Sequence, residues 1–463
     1  MSASTQTILL TNVEIWDTAE LIDLVVAAPI EFGDKPQSID GTGLVLAPGL
    51  VDVHVHFRDP GQKQKEDMVS GSLAAAAGGF TDVALQPNTI PAADGEPFTR
   101  ADPVGKQLLK QGFISVLDYW QLYEDAFEQP LSVNYTCVAA ASRGRLGQEV
   151  SRDNLWEPFL RGELADAGHP VVALSDDGSA LADSLVLQTL ETARFHGIPV
   201  MEHCERGKDE VAIIERDIAA VRQTGAHVHF QHVSTKAAFD LIRAAKSDGL
   251  PVTCETAPHY FALSDTALAE YGSAAKMNPP LRSEEDRQAT IAAIADGTVD
   301  LIATDHAPHT ADDKAGQLET AANGIVGLET SYGLAVTELV DTGVITHCRL
   351  IELMSLYPAH LVGLPRVRLS ELPVQADEGA RRLLDLTTFQ PETDEDGKVT
   401  ESFLNLSLLA PRTRWTVEAE NFMSKGRNAP FDGWQLTGMP VATVHNGELI
   451  DVTGRLKGDA WTA

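Results

Sequence analysis

Residues 51–61 read VDVHVHFRDPG, with His54 and His56 one residue apart and Arg58 two further on. Side chains alternate between the two faces of a β-strand. If this run is a strand, Asp52, His54, His56 and Arg58 share one face, and Val51, Val53, Val55 and Phe57 share the other. Two imidazoles meeting in this way either are held by ordinary hydrogen bonds or bind a metal. Further along, other apolar runs end in groups of the same kind: Asp176 and Asp177 in SDDG, His203 in MEHC, His232 in QHVS, Asp305 and His309 in TDHAPH. A single histidine in such a place is ordinarily structural. Four histidines with two or more carboxylates suit Zn2+ or a similar divalent ion. Such an ion lowers the pKa of bound water towards neutrality and supplies a nucleophile at physiological pH.

These groups can meet only if the runs that carry them end on one face. Eight β-like segments can be marked: VDVHVHF (51–57), TDVALQP (81–87), VNYTCVAAA (133–141), VVALSDD (171–177), IPVMEHC (198–204), HVHFQHV (227–233), PVTCETA (251–257) and VDLIATD (299–305). Helix-like stretches lie between them, such as TKAAFDLIRAAKSDG (235–249) and EEDRQATIAAIADG (284–297), the latter stopped by Gly297. Strand alternating with helix eight times predicts an α/β fold of the (β/α)8 TIM-barrel type over residues 48–365. The chemistry of such barrels sits at the C-terminal ends of the strands, where all of these groups fall. Residues 1–47 and 366–463 hold short β-like pieces, among them TILLTNVEIWD, GLVLAPG, RRLLDLTTF, FLNLSLLAP, RWTVEAE and VATVHNGELIDV. They are expected to pair into one small β-sandwich domain formed by both chain ends. The polar stretch PETDEDGKVTE (391–401) reads as an exposed hairpin tip or loop.

The 463 residues carry a net charge of −32 and are 43% apolar. Such a surface repels phosphates and anionic lipid, so neither nucleic acid nor a membrane is expected as partner. It also slows an anionic substrate unless local positive charge compensates. Arginine outnumbers lysine, a balance that suits either a salt-rich cytoplasm or an ordinary acidic enzyme. No run of 18 apolar residues occurs, and the first residues lack the basic segment and apolar core of a secretory leader. Cys137, Cys204, Cys254 and Cys348 are scattered, which suits free thiols in a reducing cytoplasm.

The motifs GLVDVHVHFRDPG, KEDMVSGSLAAAAGGFTDVALQPNTIP, SDDG, MEHCE, QHVSTKAAFDLIRAAK, KMNPPLRSEEDR, ATDHAPH and GIVGLET resemble those of the amidohydrolase superfamily, and within it the dihydroorotases. SKGRNAPFDGW (424–434) extends the likeness towards the C-terminus. The resemblance implies Zn2+, two ions per subunit. It gives His54 and His56 to one metal, His203 and His232 to the second, and Asp305 as both metal ligand and proton shuttle. Many amidohydrolases bridge their metals with a carboxylated lysine on strand four. HPVVALSDDG has no lysine, and the resembling branch uses an aspartate of SDDG; its place in the motif assigns Asp177, with Asp176 the alternative. The implied substrate contacts are His56, Arg58, Asn88, Asn278, His309, Asn323 and Gly324. A guanidinium grips a planar carboxylate at two points, which suits Arg58; its alternative is a local salt bridge with Asp59 or Asp52.

The implied activity is the reversible cyclisation of N-carbamoyl-L-aspartate to dihydroorotate with release of water, a step of pyrimidine synthesis. The partners implied are that small-molecule substrate, further copies of the chain in a homo-oligomer, and aspartate transcarbamoylase. Two other readings compete: another cyclic amidohydrolase (hydantoinase, dihydropyrimidinase or allantoinase), and a non-catalytic dihydroorotase-like subunit of aspartate transcarbamoylase. The missing strand-four lysine speaks against the first. The six metal ligands speak against the second. His227 and His229 are expected to face a surrounding helix or solvent, opposite His232, and His259 is given a structural place. LAAAAGGF (73–80) reads as close helix packing ending in a glycine turn. Only 28 residues separate His203 from His232, fewer than the resembling enzymes carry, which bears on substrate affinity rather than on the ligands. The β-like stretch around residues 381–410 is an addition without an assigned role.

Overall fold

The computed structural model describes residues 5–29, 37–160, 168–205, 209–366, 369, 375–376, 382–388 and 405–457. Eight parallel strands run in sequence order: Leu50–Val55, Phe80–Leu85, Asn134–Ala140, Val171–Ser175, Val200–His203, Val228–Gln231, Val252–Thr256 and Leu301–Ile302. All eight coincide with the segments marked in the sequence. The ring closes where His56 N donates to His306 O (2.9 Å) and His306 N to His54 O (3.3 Å). Helices cover the outside. Lys236–Ser247 buries Ala238, Phe239, Ile242 and Ala245, the spacing of one helical face. Glu284–Ala295 starts at a Ser283 cap with three acidic residues in its first turn, which complement the helix dipole.

Strand one departs from simple alternation. Val51 and Val53 join a small apolar cluster inside the barrel with Ala84, Val138, Val172, Ala173, Met201, Leu301 and Ala303, closed by Ala359 and Val362. Val55 and Phe57 belong to the outer core instead. The pairing with strand two shifts register between Asp52 and Val55. Such an irregularity re-aims side chains, and it lets His54 and His56 turn inward above Val51 and Val53. The single polar face expected of Asp52, His54, His56 and Arg58 is therefore corrected. The strand has no solvent face, and Asp52 is spent on the backbone amides of His54 and Thr304.

The chain ends build one nine-stranded sheet. Its order is Gln375–Ala376, Arg382–Asp385, Leu21–Pro29, Glu448–Ile450, Gln435–His445, Leu406–Thr416, Val45–Pro48, Thr5–Ile15 and Gln37–Asp40. Thr5–Ile15 also pairs with Leu21–Pro29, so the order returns on itself and one sheet supplies the layers expected of the sandwich. Leu21–Pro29 is an addition to the sequence reading; Ile22, Leu24, Val26 and Ala28 are buried in strict alternation. Of the stretch 381–410, Arg382–Asp385 pairs in parallel with Leu21–Pro29 and Leu406 opens a long strand. Residues 391–401, read as a hairpin tip, lie outside the described residues. Among the described residues no helix is long and apolar enough to cross a membrane.

Candidate active site

The C-terminal ends of the barrel strands bring the predicted ligands together. The Asp177 carboxylate lies 3.2 Å from His54 Nε2, 3.4 Å from His56 Nε2, 3.3 Å from His203 Nδ1 and 3.9 Å from His232 Nε2. Asp305 Oδ1 is 3.1 Å from His56 Nε2 and 3.5 Å from His54 Nε2. His203 Nδ1 and His232 Nε2 are 2.8 Å apart. Asp176 turns away, accepting from the Ser142 amide (2.8 Å) and hydroxyl. Two donor sets could each hold a metal ion: His54, His56 and Asp305, and His54, Asp177 and His232. His203 lies beside the second.

These residues fit a divalent cation on three counts. Two donors about 2.0–2.1 Å from one ion at a tetrahedral angle stand about 3.3 Å apart, the separation found here. The ring orientations are fixed from behind. His56 Nδ1 donates to Asn88 Oδ1 (2.8 Å) and His54 Nδ1 to Glu255 Oε1 (2.6 Å), so both Nε2 atoms face carboxylates. That contact is attractive only with positive charge on or between the groups. Finally, His54 Nε2 and His232 Nδ1 are buried without a hydrogen-bond partner among the described residues. Burial works against a proton as the alternative charge at two of the rings: it lowers His56, and with His203 nearby it brings His232 to about 3. Burial also disfavours the Asp177 anion, but the charges of His54 and His56 outweigh it and hold the carboxyl well below its usual range. Asp305 is lowered in the same way, with His54 and His56 again outweighing burial.

Arg58, Arg145, His232 and Asp305, around this mouth, all have positive φ (59°, 57°, 37° and 50°), an uncommon conformation for non-glycine residues that Asn12, Ala19, Glu128 and Asn446 adopt elsewhere in the chain. For His232 the left-handed turn explains a correction. Val228 and Phe230 face the helices, whereas His229 and Gln231 face the bore; the turn after Gln231 swings His232 inward as well. His229 is therefore fully buried inside the barrel, 3.1 Å from Glu255 Oε2, and not against a helix or solvent. His227 is half-buried and bonded to Thr253 Oγ1 (2.9 Å).

Above the ligands opens a cavity of about 190 Å³, smaller than the roughly 300 Å³ at which drug-sized sites begin. All seven predicted substrate contacts line it: His56, Arg58, Asn88, Asn278, His309, Asn323 and Gly324, with Asp177, His203 and Asp305 at its base. Asn88 Nδ2 donates to Asp177 Oδ2 (3.2 Å), and Asn278 Nδ2 is 3.0 Å from His203 Nε2. Burial lowers Arg58 to about 10 against the attraction of Asp305 and Asp177, so it stays charged at neutral pH. Its Nε has no partner among the described residues. The local salt bridge is not formed with Asp59, which is taken by Tyr119 and Lys63, nor with Asp52. Burial first, then Arg58 and Lys65, hold His309 near 3, so the ring is neutral. Gly324 has φ +120°, and a Cβ there would stand 2.6 Å from that of Ala307.

Two residues behind the ligands, Glu255 and Gln231, lie outside the sequence reading. Glu255 orients His54, and Gln231 Nε2 lies 3.2 Å from the same ring nitrogen. His259, expected to be structural, is buried with Nε2 unpartnered among the described residues, and burial lowers it to about 4. The signal available for Glu255 is a glutamate inside the apolar run PVTCETA, a polar residue on a strand with no solvent face. Residues 206–208 of the short loop after His203 lie outside the described residues.

The family model described as "Amidohydrolase family" matches residues 45–367. A curated dihydroorotase of Geobacter metallireducens is 37% identical over 439 residues, covering 89% of each chain. One of Desulfotalea psychrophila is 39% identical over 435 residues, covering 88% of each. Among solved structures, the L-hydantoinase (dihydropyrimidinase) of Arthrobacter aurescens superposes with a TM-score of 0.69 at 22% identity, over 96% of this chain and 95% of that one. The dihydropyrimidinase of Brevibacillus agri gives 0.70 at 19%, over the same shares. At these identities the likeness to the solved structures is one of fold.

Proposed function

The chain belongs to the amidohydrolase family, among its dihydroorotases, and on that footing we propose that it interconverts N-carbamoyl-L-aspartate and (S)-dihydroorotate in pyrimidine synthesis. The activity is that of a hydrolase acting on a cyclic amide. The observation that carries the choice of substrate is Arg58, a charged guanidinium in a small cavity with no carboxylate partner of its own among the described residues. Dihydroorotate brings a ring carboxylate; dihydrouracil and hydantoin do not.

His54, His56 and Asp305 would hold one Zn2+, and His203 and His232 a second, with Asp177 between them. Bound there, the ions would polarise the scissile carbonyl and supply water with a pKa near neutrality. The chain's residues do the rest. Arg58 and Asn88 grip the ring carboxylate, and Asn278 and His309 with the backbone of Asn323 and Gly324 complete the pocket around the ring. Asp305, held ionised, takes the proton of the attacking water at its carboxylate and returns it to the departing ring nitrogen. In the direction of synthesis the same groups act in reverse.

The proposal includes the division into a barrel of residues 48–365 and a small domain of 1–47 with 366–463, a cytoplasmic homo-oligomer, and association with aspartate transcarbamoylase. The test of function is metal analysis of the purified protein coupled to turnover of L-dihydroorotate, dihydrouracil, hydantoin and allantoin. Metal-dependent turnover confined to dihydroorotate supports the reading. Preference for an uncharged ring places the chain with the other cyclic amidohydrolases, and an inert, metal-free protein would make it a supporting subunit.

A further inference from the structure

Lys314 is the least expected charge in the molecule. It ends the short helix Ala311–Lys314, directly after His309, and its side chain is only 9% exposed. Nζ donates to Lys276 O (3.1 Å), Ala322 O (2.9 Å) and Gly324 O (2.8 Å). An ammonium has three donors and no acceptor, so these bonds saturate it. No carboxylate pairs with it among the described residues; burial, and then the charge of Lys276, lower it to about 8. A buried ammonium without a counter-ion is costly, and an apolar side chain of that length would fill the space without the charge.

What the ammonium does is visible in its acceptors. They come from two loops, the one that leads through Lys276 to Asn278 and the one at 322–324, which Lys276 Nζ also joins through Ala321 O (2.6 Å) and Glu319 O (3.2 Å). Gly324 N donates to Lys276 O (2.9 Å), and Ala322 N donates to Asp313 O (2.8 Å), next to Lys314 itself. Asn323 O accepts from His309 Nε2 (2.7 Å). The wall that bears Asn278, His309, Asn323 and Gly324 is thus tied to the buried Lys314 ammonium, with Asn428 Nδ2 a further donor to Gly324 O (3.0 Å). These are four of the seven substrate contacts, and all four lie on irregular backbone with no strand to hold them.

We infer that Lys314 is a positioning residue for substrate: its three-way contact with the carbonyls of Lys276, Ala322 and Gly324 fixes the cavity wall that grips the ring. This rests on the dihydroorotase reading for the identity of the ring, but not for the geometry of the wall. Lys314 touches none of the metal ligands and does not itself line the cavity; it reaches the wall through the Gly324 carbonyl. Its loss should loosen binding while leaving the donor set and the proton shuttle in place. A neutral amide has two donors and a shorter reach, so glutamine can replace the lysine only in part.

The experiment uses the full-length, metal-loaded protein with Lys314→Met and Lys314→Gln. Three properties are measured: metal per chain with thermal melting, hydrogen exchange of the Ala322 and Gly324 amides, and KM and kcat for L-dihydroorotate. Metal content should be unchanged in both variants. Exchange at the two amides should rise roughly tenfold or more in Lys314→Met, while barrel-strand amides keep their protection. KM should rise roughly tenfold, and kcat should change by less than about threefold, the pattern of lost ground-state binding. Lys314→Gln should fall between wild type and Lys314→Met. Unchanged exchange or unchanged KM in a folded variant overturns the inference. So does global unfolding of both variants, which would make Lys314 a residue of the whole fold. If wild type itself fails to turn over dihydroorotate, the functional reading falls, and the exchange measurement alone decides the role of Lys314.

Discussion

Halfway up the barrel the bore changes character. Its lower part is a plug of Val51, Val53, Ala84, Val138, Val172, Ala173, Met201, Leu301 and Ala303, sealed by Ala359 and Val362, each at most 5% exposed. Its upper part, also buried, holds four imidazoles and two carboxylates, each within 4 Å of at least one other. The lower part is made of regular strand, and the upper part of strand ends and left-handed residues. One scaffold thus separates what must be stable from what must be charged. The lower layer gains from water exclusion, whereas the upper layer fits together electrostatically only around a cation.

That contrast predicts opposite consequences for substitutions a few residues apart. The largest effect is expected for His54→Ala. Activity should fall by at least about three orders of magnitude, since a metal contributes several kcal/mol to the barrier. Bound metal should drop, while the denaturation midpoint of the metal-free protein hardly moves. Full activity with full metal content would remove the upper layer's claim to be a metal centre.

Arg58→Met sharpens the chemical half of the comparison. Removing one partner of a buried ion pair costs about 3–5 kcal/mol, which is about two to four orders of magnitude in kcat/KM. The loss should apply to dihydroorotate and leave hydrolysis of an uncharged cyclic amide nearly unchanged. Equal losses on both substrates would mean that Arg58 supports the metal site and not the ring carboxylate.

Leu301→Ala tests the lower layer. Leu301 is 1% exposed and opens strand eight, four residues before Asp305 in the chain. Truncating a buried leucine costs about 2–5 kcal/mol of stability. Chemical denaturation should show that loss, while kcat and metal content at temperatures below melting stay as in wild type. Loss of metal in a folded Leu301→Ala protein would show that the two layers are not separable.

Much of this layering was legible in the sequence. Eight apolar runs of strand length, five of them with His or Asp at or next to the end, carry the barrel and the identity of its mouth. Local pattern could not carry what depends on pairing. The register shift that brings Val53 and His54 into one bore belongs to strand two as much as to strand one. His229 was assigned outward because alternation was counted back from His232, whose φ of 37° breaks the count. Leu21–Pro29 was passed over although its alternation is strict, and the closing of the terminal sheet rests on contacts between residues hundreds of positions apart. Lys314 reads in sequence as a surface lysine in a polar loop, and only the carbonyls that converge on it say otherwise.

The smallest effect tests where the boundary between the layers runs. Strands six and seven contribute nothing to the apolar plug. Their bore positions are His229, Gln231, Thr253 and Glu255, so the polar layer descends along one side of the barrel. From His54 Nδ1 the contacts pass through Glu255 to His229 Nε2 (3.1 Å), from His229 Nδ1 to Thr253 Oγ1 (2.9 Å), and on to His227 Nε2 (2.9 Å). Burial alone would raise the Glu255 carboxyl. The charges of His54 and His229 and their hydrogen bonds outweigh it and hold the group at about 2. An ionised Glu255 fixes the His54 tautomer and makes Nε2 a better donor to a metal, and losing such a partner typically weakens metal binding about 10–100-fold. Glu255→Gln keeps the shape and an acceptor oxygen but removes the charge. Metal affinity, measured by competition with a chelator, should fall within that range, with kcat at saturating metal reduced less. The folded barrel should persist, because the amide can still accept from His54 and donate towards His229. Unchanged metal affinity together with a lowered denaturation midpoint would assign the column to the lower, structural half of the bore, and the boundary would run level after all.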